Sequence, residues 1–243
     1  MGKFESVNWL SYNIFKGDLE QISFENKILV NTINQYSYCV AEKDSGFKDA
    51  LINSDILLPD GIAIVMAVRR MLKLKIKKIA GADIHSHLLE SCYKNNKTCF
   101  YLGSSEKTLK EIKKRLSKEY PDIKVGFYSP PYKAKFSDED NTQMLNAINA
   151  FKPDVLFVGM TAPKQEKWAH EFKPQINAHV ICTIGAVFDF YAGTVERPHK
   201  IWINLGLEWF IRLLKEPSRM WKRYIYYGPI FLLKLSRVSN KNI

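Results

Sequence analysis

Apolar and polar positions along this chain follow two alternating rhythms. Nearly continuous apolar runs at residues 28–33, 98–102, 123–127, 155–159 and 179–184 read as strands buried on both faces. Between them the period changes to that of a helix. Over residues 105–120, Leu109, Ile112, Leu116 and Tyr120 share one face while Lys107, Lys110, Lys113, Lys114 and Lys118 cover the rest, and Pro121 closes the segment. A second helix opens at Ser137, with Asp138, Glu139 and Asp140 placed where carboxylates complement the positive helix end, and runs to Phe151. A third, apolar helix over residues 62–68 follows a Pro59-Asp60-Gly61 turn. Strands alternating with helices predict an α/β fold: a Rossmann-like, mostly parallel sheet flanked by helices.

The rhythm changes after Pro198, where Trp, Leu and Arg or Lys take over. This divides the chain into a catalytic domain over residues 1–195 and a basic, aromatic-rich helical appendage over 196–243. The longest apolar run there, residues 225–233, contains Gly228 and Pro229 and is shorter than the roughly 20 residues that cross a bilayer. The expectation is a soluble or peripheral protein.

Composition narrows the partners. A chain of 243 residues with 46% hydrophobic content can bury a core, and a formal charge of +11 attracts an anionic partner: nucleic acid, a nucleotide substrate or a negatively charged membrane leaflet. Cys39, Cys92, Cys99 and Cys182 lie far apart without a C-x-x-C pair, so neither a zinc site nor a disulfide framework is expected, and a reducing cytoplasm fits.

Four loops carry candidate chemistry. In Leu58-Pro59-Asp60-Gly61, Asp60 either acts as a general base at the mouth of the sheet or makes a turn and caps the following helix. Ala80-Gly81-Ala82-Asp83 and Leu102-Gly103-Ser104-Ser105 each open a helix whose unpaired N–H groups suit a phosphate, although an ordinary helix cap accounts for them equally. Neither matches a Walker loop or a dinucleotide fingerprint. In the fourth, Ala162-Pro163 follows a buried strand and sets Lys164, Gln165, Glu166 and Lys167 at a helix start, either at the strand's C-terminal edge or on a solvated face.

In this order, Thr32-Ile33-Asn34, Pro59-Asp60-Gly61, Gly81-Ala82-Asp83, Tyr101-Leu102-Gly103, the APKQEKW block from Ala162, Gly185-Ala186 with Phe188-Asp189, Arg197-Pro198 and the GLEW block from Gly206 resemble the WecG/TagA/CpsF glycosyltransferases. The resemblance spans about Ile28 to Tyr224. It implies an inverting transfer of an N-acetylmannosamine-type sugar, ManNAc or its uronic acid, from a UDP donor to an undecaprenyl-diphosphate-linked GlcNAc acceptor on the inner face of the bacterial membrane. It implies no metal or other cofactor, and self-association of the chain. By the same resemblance Asp60 is the catalytic base, with Thr32, Asn34 and Gln165 lining its site. Motif positions and the loop readings together add Gly61, Gly81, Asp83, Gly103, Ser104, Lys164, Glu166, Gly185, Asp189 and Arg197 as substrate-binding candidates. The one D-x-D match, Asp138-Glu139-Asp140, has a sufficient local reason as a helix start.

The tail supplies much of the positive charge. Arg212, Lys215, Arg219, Lys222, Arg223, Lys234 and Arg237 alternate with Trp209, Trp221, Tyr224 and the run Ile230-Phe231-Leu232-Leu233. Such mixing suits an anionic membrane interface, and the aliphatic content favours acyl chains over bases. Arg212, Arg219 and Arg223 are candidates for the acceptor diphosphate, since a guanidinium fork matches phosphate oxygens. A basic nucleic-acid-binding module is the alternative reading, and a basic helix packed on the core is the bland one.

Overall fold

The computed structural model describes residues 4–196, 198–199, 201–202 and 207–239. Its sheet has eight strands: β1 (Ser6–Trp9), β2 (Tyr12–Phe15), β3 (Ile28–Ile33), β4 (Ile56–Pro59), β5 (Cys99–Gly103), β6 (Val125–Tyr128), β7 (Val155–Gly159) and β8 (Val180–Thr183). They are ordered β1-β2-β4-β3-β8-β7-β5-β6, all parallel except the β1–β2 hairpin at one edge. The mostly parallel α/β sheet expected from the apolar runs is present. β3 and β7 have the expected limits, and β5, β6 and β8 begin one or two residues later than the apolar runs suggest.

Alternation of side chains decides what covers each face. From β3, β5, β7 and β8, Val30, Tyr101, Phe157 and Cys182 point to one side, joining α4 (Gly81–Lys94), α5 (Glu106–Glu119) and α8 (Val187–Ala192) in one core. Leu29, Phe100, Leu156 and Ile181 point to the other, against α6 (Asp138–Phe151) and α7 (Lys164–Phe172). On that same side Ile33 and Leu57 meet α1 (Gln35–Ala41), α2 (Ser45–Ile52) and α3 (Ile62–Leu72). The loop after β5 therefore leads to one face and the loop after its neighbour β7 to the other. A sheet whose adjacent strands diverge this way opens a crevice at their C-terminal ends.

Local signals set the helices. Ser105 Oγ accepts from Thr108 N at the start of α5, where Leu109, Ile112 and Leu116 are buried as their spacing requires. Ser137 caps α6, and Asp140 answers it by accepting from Ser137 N at 2.8 Å and pairing with Lys133 at 2.8 Å. The acidic trio is thus a helix start, with Asp140 committed to its own cap. Between the central strands, Thr183 Oγ1 donates to Asn31 Oδ1 at 2.6 Å, and Asn31 Nδ2 donates to Ser54 Oγ at 2.8 Å. These bonds satisfy a polar pair without access to water.

The C-terminal segment continues through helices Glu208–Lys215 and Pro217–Trp221, a π-helical turn Lys222–Tyr226 and the helix Tyr227–Ser239. Phe231 is only 2% exposed and joins the core around Trp9 and Tyr38, with ring centroids 6.3 and 5.5 Å away. Burial of such a ring stabilises the packing by about 2 kcal/mol. Among the described residues, no helix is long and apolar enough to cross a membrane.

Candidate active site

Every parallel strand except β2 delivers residues to one cleft of about 1500 Å³. Asn34 follows β3, Asp60 and Gly61 follow β4, and Ser104 follows β5. Ser129 follows β6, Met160 follows β7 and Gly185 follows β8. The remaining wall comes from Glu208, Trp209, Arg212, Arg223, Tyr224 and Leu232 of the C-terminal segment. Such a volume exceeds that of ordinary single-ligand pockets, roughly 300–1,000 Å³.

Asp60 stands where β4 gives way to α3, its N–H donating to Ile33 O at 2.9 Å. Gly61 next to it has φ 130°, a conformation that L side chains rarely adopt, and this sharp turn leaves Asp60 on the cleft wall. Enclosure by protein and, after it, the nearby Glu208 raise its carboxyl pKa to about 6 against the opposing pull of Lys78 and Arg212. A carboxylate in that range can accept a proton near neutral pH.

Across the cleft, Gln165 and Glu166 begin α7 and are 4% and 3% exposed. Gln165 Oε1 accepts from Met160 N at 3.1 Å while its Nε2 donates to Glu166 Oε1 at 2.8 Å. A side chain at Gly185 would press on that amide at 3.3 Å, so the glycine admits the glutamine. Glu166 Oε2 is buried without a hydrogen-bond partner, and desolvation raises the carboxyl pKa to about 7.

Arg212 carries the opposite charge into the same space. Its Nε and Nη2 are buried without partners, and its guanidinium lies over the Phe190 ring at 5.0 Å. Arg223 lies over Tyr36 at 4.9 Å. Lys78 Nζ meets Glu208 Oε2 at 3.2 Å and ties the first C-terminal helix to the wall beside Asp60. Helix starts at Gly81, Ser105 and Lys164 also face the cleft, which gives it oriented N–H groups suited to anions.

Of the residues singled out from sequence, Thr32, Asn34, Asp60, Gly61, Gly81, Ser104, Lys164, Gln165, Glu166, Gly185, Asp189, Arg212 and Arg223 line this cleft together. Asn34 also caps α1, accepting from Tyr36 N and Ser37 N at 3.0 Å. Lys164 Nζ reaches Lys133 O at 2.8 Å and lies over Phe136. Two candidates do not line it. Asp83 Oδ2 accepts from Ala80 N at 2.8 Å and caps its own helix, so its carboxylate is turned to the backbone instead of the cleft. Gly103 is a glycine because a Cβ there would strike the Gly159 carbonyl on the neighbouring strand; it serves strand packing and does not line the cleft. Arg197 lies outside the described residues, and Arg219 is described only by its helical backbone. Sequence reasoning did not single out Lys78, Glu208 and Tyr224 as site residues; Glu208 stands within the GLEW block, and Lys78 and Tyr224 within basic and aromatic stretches.

A doubly covered sheet with a cleft at its strand ends, holding an enclosed carboxyl of raised pKa and a guanidinium with two unbonded nitrogens, is the architecture of an α/β enzyme. The chain belongs to the glycosyl transferase WecG/TagA/CpsF family, whose model matches residues 8–242. It is similar to the N-acetylglucosaminyldiphosphoundecaprenol N-acetyl-beta-D-mannosaminyltransferase of Bacillus subtilis (strain 168), with 34% identity over 225 residues, 92% of this chain and 86% of that protein. Proteins of the same name from Bacillus spizizenii and Staphylococcus aureus (strain MW2) are 30% and 25% identical, covering 76% and 89% of this chain and 70% and 82% of theirs. The protein is a glycosyltransferase that moves a hexosyl group. Nothing in these likenesses supports the nucleic-acid alternative.

Proposed function

We propose that the chain transfers N-acetylmannosamine from UDP to the GlcNAc of an undecaprenyl-diphosphate-linked acceptor, with Asp60 as general base. The relatives' names supply the acceptor and the sugar. The observation that carries the reading onto this chain is the pair of unpartnered guanidinium nitrogens of Arg212, buried in the cleft that also holds Asp60. Buried guanidinium N–H groups without acceptors are costly, and a diphosphate oxygen removes that cost.

In this reading an acceptor hydroxyl gives its proton to the Asp60 carboxylate as its oxygen bonds to the anomeric carbon. The bond from that carbon to the UDP oxygen breaks on the opposite side, so configuration inverts without a covalent intermediate. Helix starts at Gly81 and Ser105 receive the charge growing on UDP, and Arg212 and Arg223 hold the acceptor's diphosphate. Thr32, Asn34 and Gln165, with the glycines beside them, shape the sugar pocket. The basic C-terminal segment works from a membrane surface: Trp221, Ile225, Tyr226, Leu232 and Leu233 are exposed, which suits an acyl interface on the cytoplasmic side.

The test is UDP release from UDP-N-acetylmannosamine with a short-chain prenyl-diphosphate-GlcNAc. Release that depends on the acceptor and fails with other UDP-sugars is expected; equal release without acceptor sinks the proposal. Replacing the exposed Trp221, Ile225, Leu232 and Leu233 with serine should weaken flotation with anionic liposomes while Phe231 keeps the tail seated, and undiminished flotation removes the membrane role of the tail.

A further inference from the structure

The chain between Asp60 and Asp83 contains no acidic residue but carries Arg69, Arg70, Lys73, Lys75, Lys77 and Lys78. Lys77 and Lys78 pair with Asp18 and Glu208, whereas the other four have no ion pair among the described residues. On α3, Ile62, Met66, Arg69 and Lys73 follow at spacings that form one stripe along the helix and its cap. Met66 is 63% exposed and Ile62 42%, and Leu74 beyond the helix end is 43% exposed. The helix dipole is reason enough for Arg69 and Arg70 in the last turn. It offers none for large apolar side chains standing in water beside them.

This stripe continues the apolar rim of the C-terminal segment. Trp9 Nε1 donates to Met71 Sδ on the inner side of α3 at 3.3 Å, and the Trp9 ring lies 6.3 Å from that of Phe231, so both helices pack on one residue. Ile62 and Leu232, each exposed, line the same cleft. Apolar side chains within a ring of unpaired cations complement the surface of a bilayer bearing anionic lipid.

We infer that the outer face of α3, with the connector through Lys75, is a second membrane-contact surface, which presses the cleft mouth against an anionic bilayer beside the tail. The inference rests on the membrane reading above and extends it to a part of the catalytic domain. It gives the lipid-borne acceptor an entry between two lipid-facing elements.

All four native cysteines are buried, so Met66→Cys can be labelled selectively with a polarity-sensitive fluorophore in the full-length chain. Lys118→Cys on exposed α5 is the control. With vesicles of phosphatidylglycerol and phosphatidylcholine, a blue shift at position 66 and none at 118 is expected. In the unlabelled chain, Arg69→Gln with Arg70→Gln should weaken vesicle binding by about 25-fold, fivefold for each cation, with the melting temperature retained. Retained flotation without a shift at 66 overturns this inference and leaves the tail's role standing; absence of flotation by the wild-type chain overturns both. A shift that appears on raising protein concentration without lipid assigns the face to a second copy of the chain and overturns the inference as well.

Discussion

Lys78 Nζ lies 3.2 Å from Glu208 Oε2, and this ion pair joins the connector after α3 to the first C-terminal helix at the edge of the Asp60 site. Both charges act on Asp60, in opposite directions: Glu208 raises its pKa and Lys78 lowers it. Removing one partner therefore moves the proton acceptor in a known sense. Glu208→Gln should shift the acid limb of the kcat/KM profile to lower pH, and Lys78→Met should shift it to higher pH. Measuring both limbs checks the arrangement, since two shifts of the same sign contradict it.

Asp60→Asn should cut turnover by about 10² to 10⁴-fold, the usual loss on removing a positioned base. The wild-type rate should fall as pH drops through about 6, where the carboxylate takes up its proton. The amide keeps the size of the acid and removes a charge that burial disfavours, so thermal melting should show no loss of stability. Near-normal UDP release by the variant removes Asp60 from the role.

Glu166 offers a separate pH test. Its folded pKa is raised from 4.5 to about 7 by burial. The folded state thus holds the proton more tightly than the unfolded chain. The stability this contributes is fully present below pH 4.5 and is lost as pH rises through 7. Glu166→Gln should accordingly gain on the order of 2 kcal/mol over wild type at pH 8, roughly 5 °C in melting temperature, and nothing at pH 4. Calorimetry at the two pH values decides; an equal difference at both denies the buried charge.

Neighbouring residues of the last helix should behave differently. Phe231→Ala empties a place beside Trp9 and Tyr38 and should cost about 3–5 kcal/mol. Leu232→Ala removes a side chain that is 65% exposed and should stay within about 0.5 kcal/mol. Denaturant midpoints measure both. Equal effects would mean that the helix is not seated on the core as described.

Arg212→Met keeps the length of the side chain and removes the fork. It should lower kcat/KM for the lipid-diphosphate acceptor by about tenfold or more, the value of one or two charge-assisted hydrogen bonds. Arg212→Lys should recover little, because a point charge lacks the planar donor pair. Steady-state kinetics with varied acceptor reads this directly, and an unchanged KM and kcat would assign the diphosphate elsewhere.

Much of the architecture was legible because its causes are local. β7 is an uninterrupted apolar run and β3 is broken only by Asn31 and Thr32, and α5 and α6 are bounded by Ser105 and Ser137, whose hydroxyls accept from N–H groups three residues on. The β1–β2 hairpin was not legible. Its strands have four residues each, and its turn places Leu10 and Ser11 at φ 50° and 72° without the Asn-Gly signal that such turns usually carry. Trp9 and Tyr12 are buried there by contacts with Tyr38 on α1, far away in the chain.

The candidate site divides in the same way. Pro-Asp-Gly, the helix starts and the Lys164-Gln165-Glu166 block could be read from sequence, since turn chemistry and caps act over three or four residues. What separated Asp83 from Asp60 was invisible at that level: both are acids at loop ends, but one carboxylate turns back to cap its helix and the other stands in a cleft. Gly103 and Gly185 are equally alike in sequence, and only the neighbouring strand or side chain shows which of them borders the site. The chain by itself determined five of its eight strands, the bounds of α5 and α6 and its positive charge, through periodicity and short-range hydrogen bonds. Tertiary structure alone decided which acids lost water, which guanidinium nitrogens were left without acceptors and which tail residues became core, because desolvation depends on segments brought together from opposite ends of the chain.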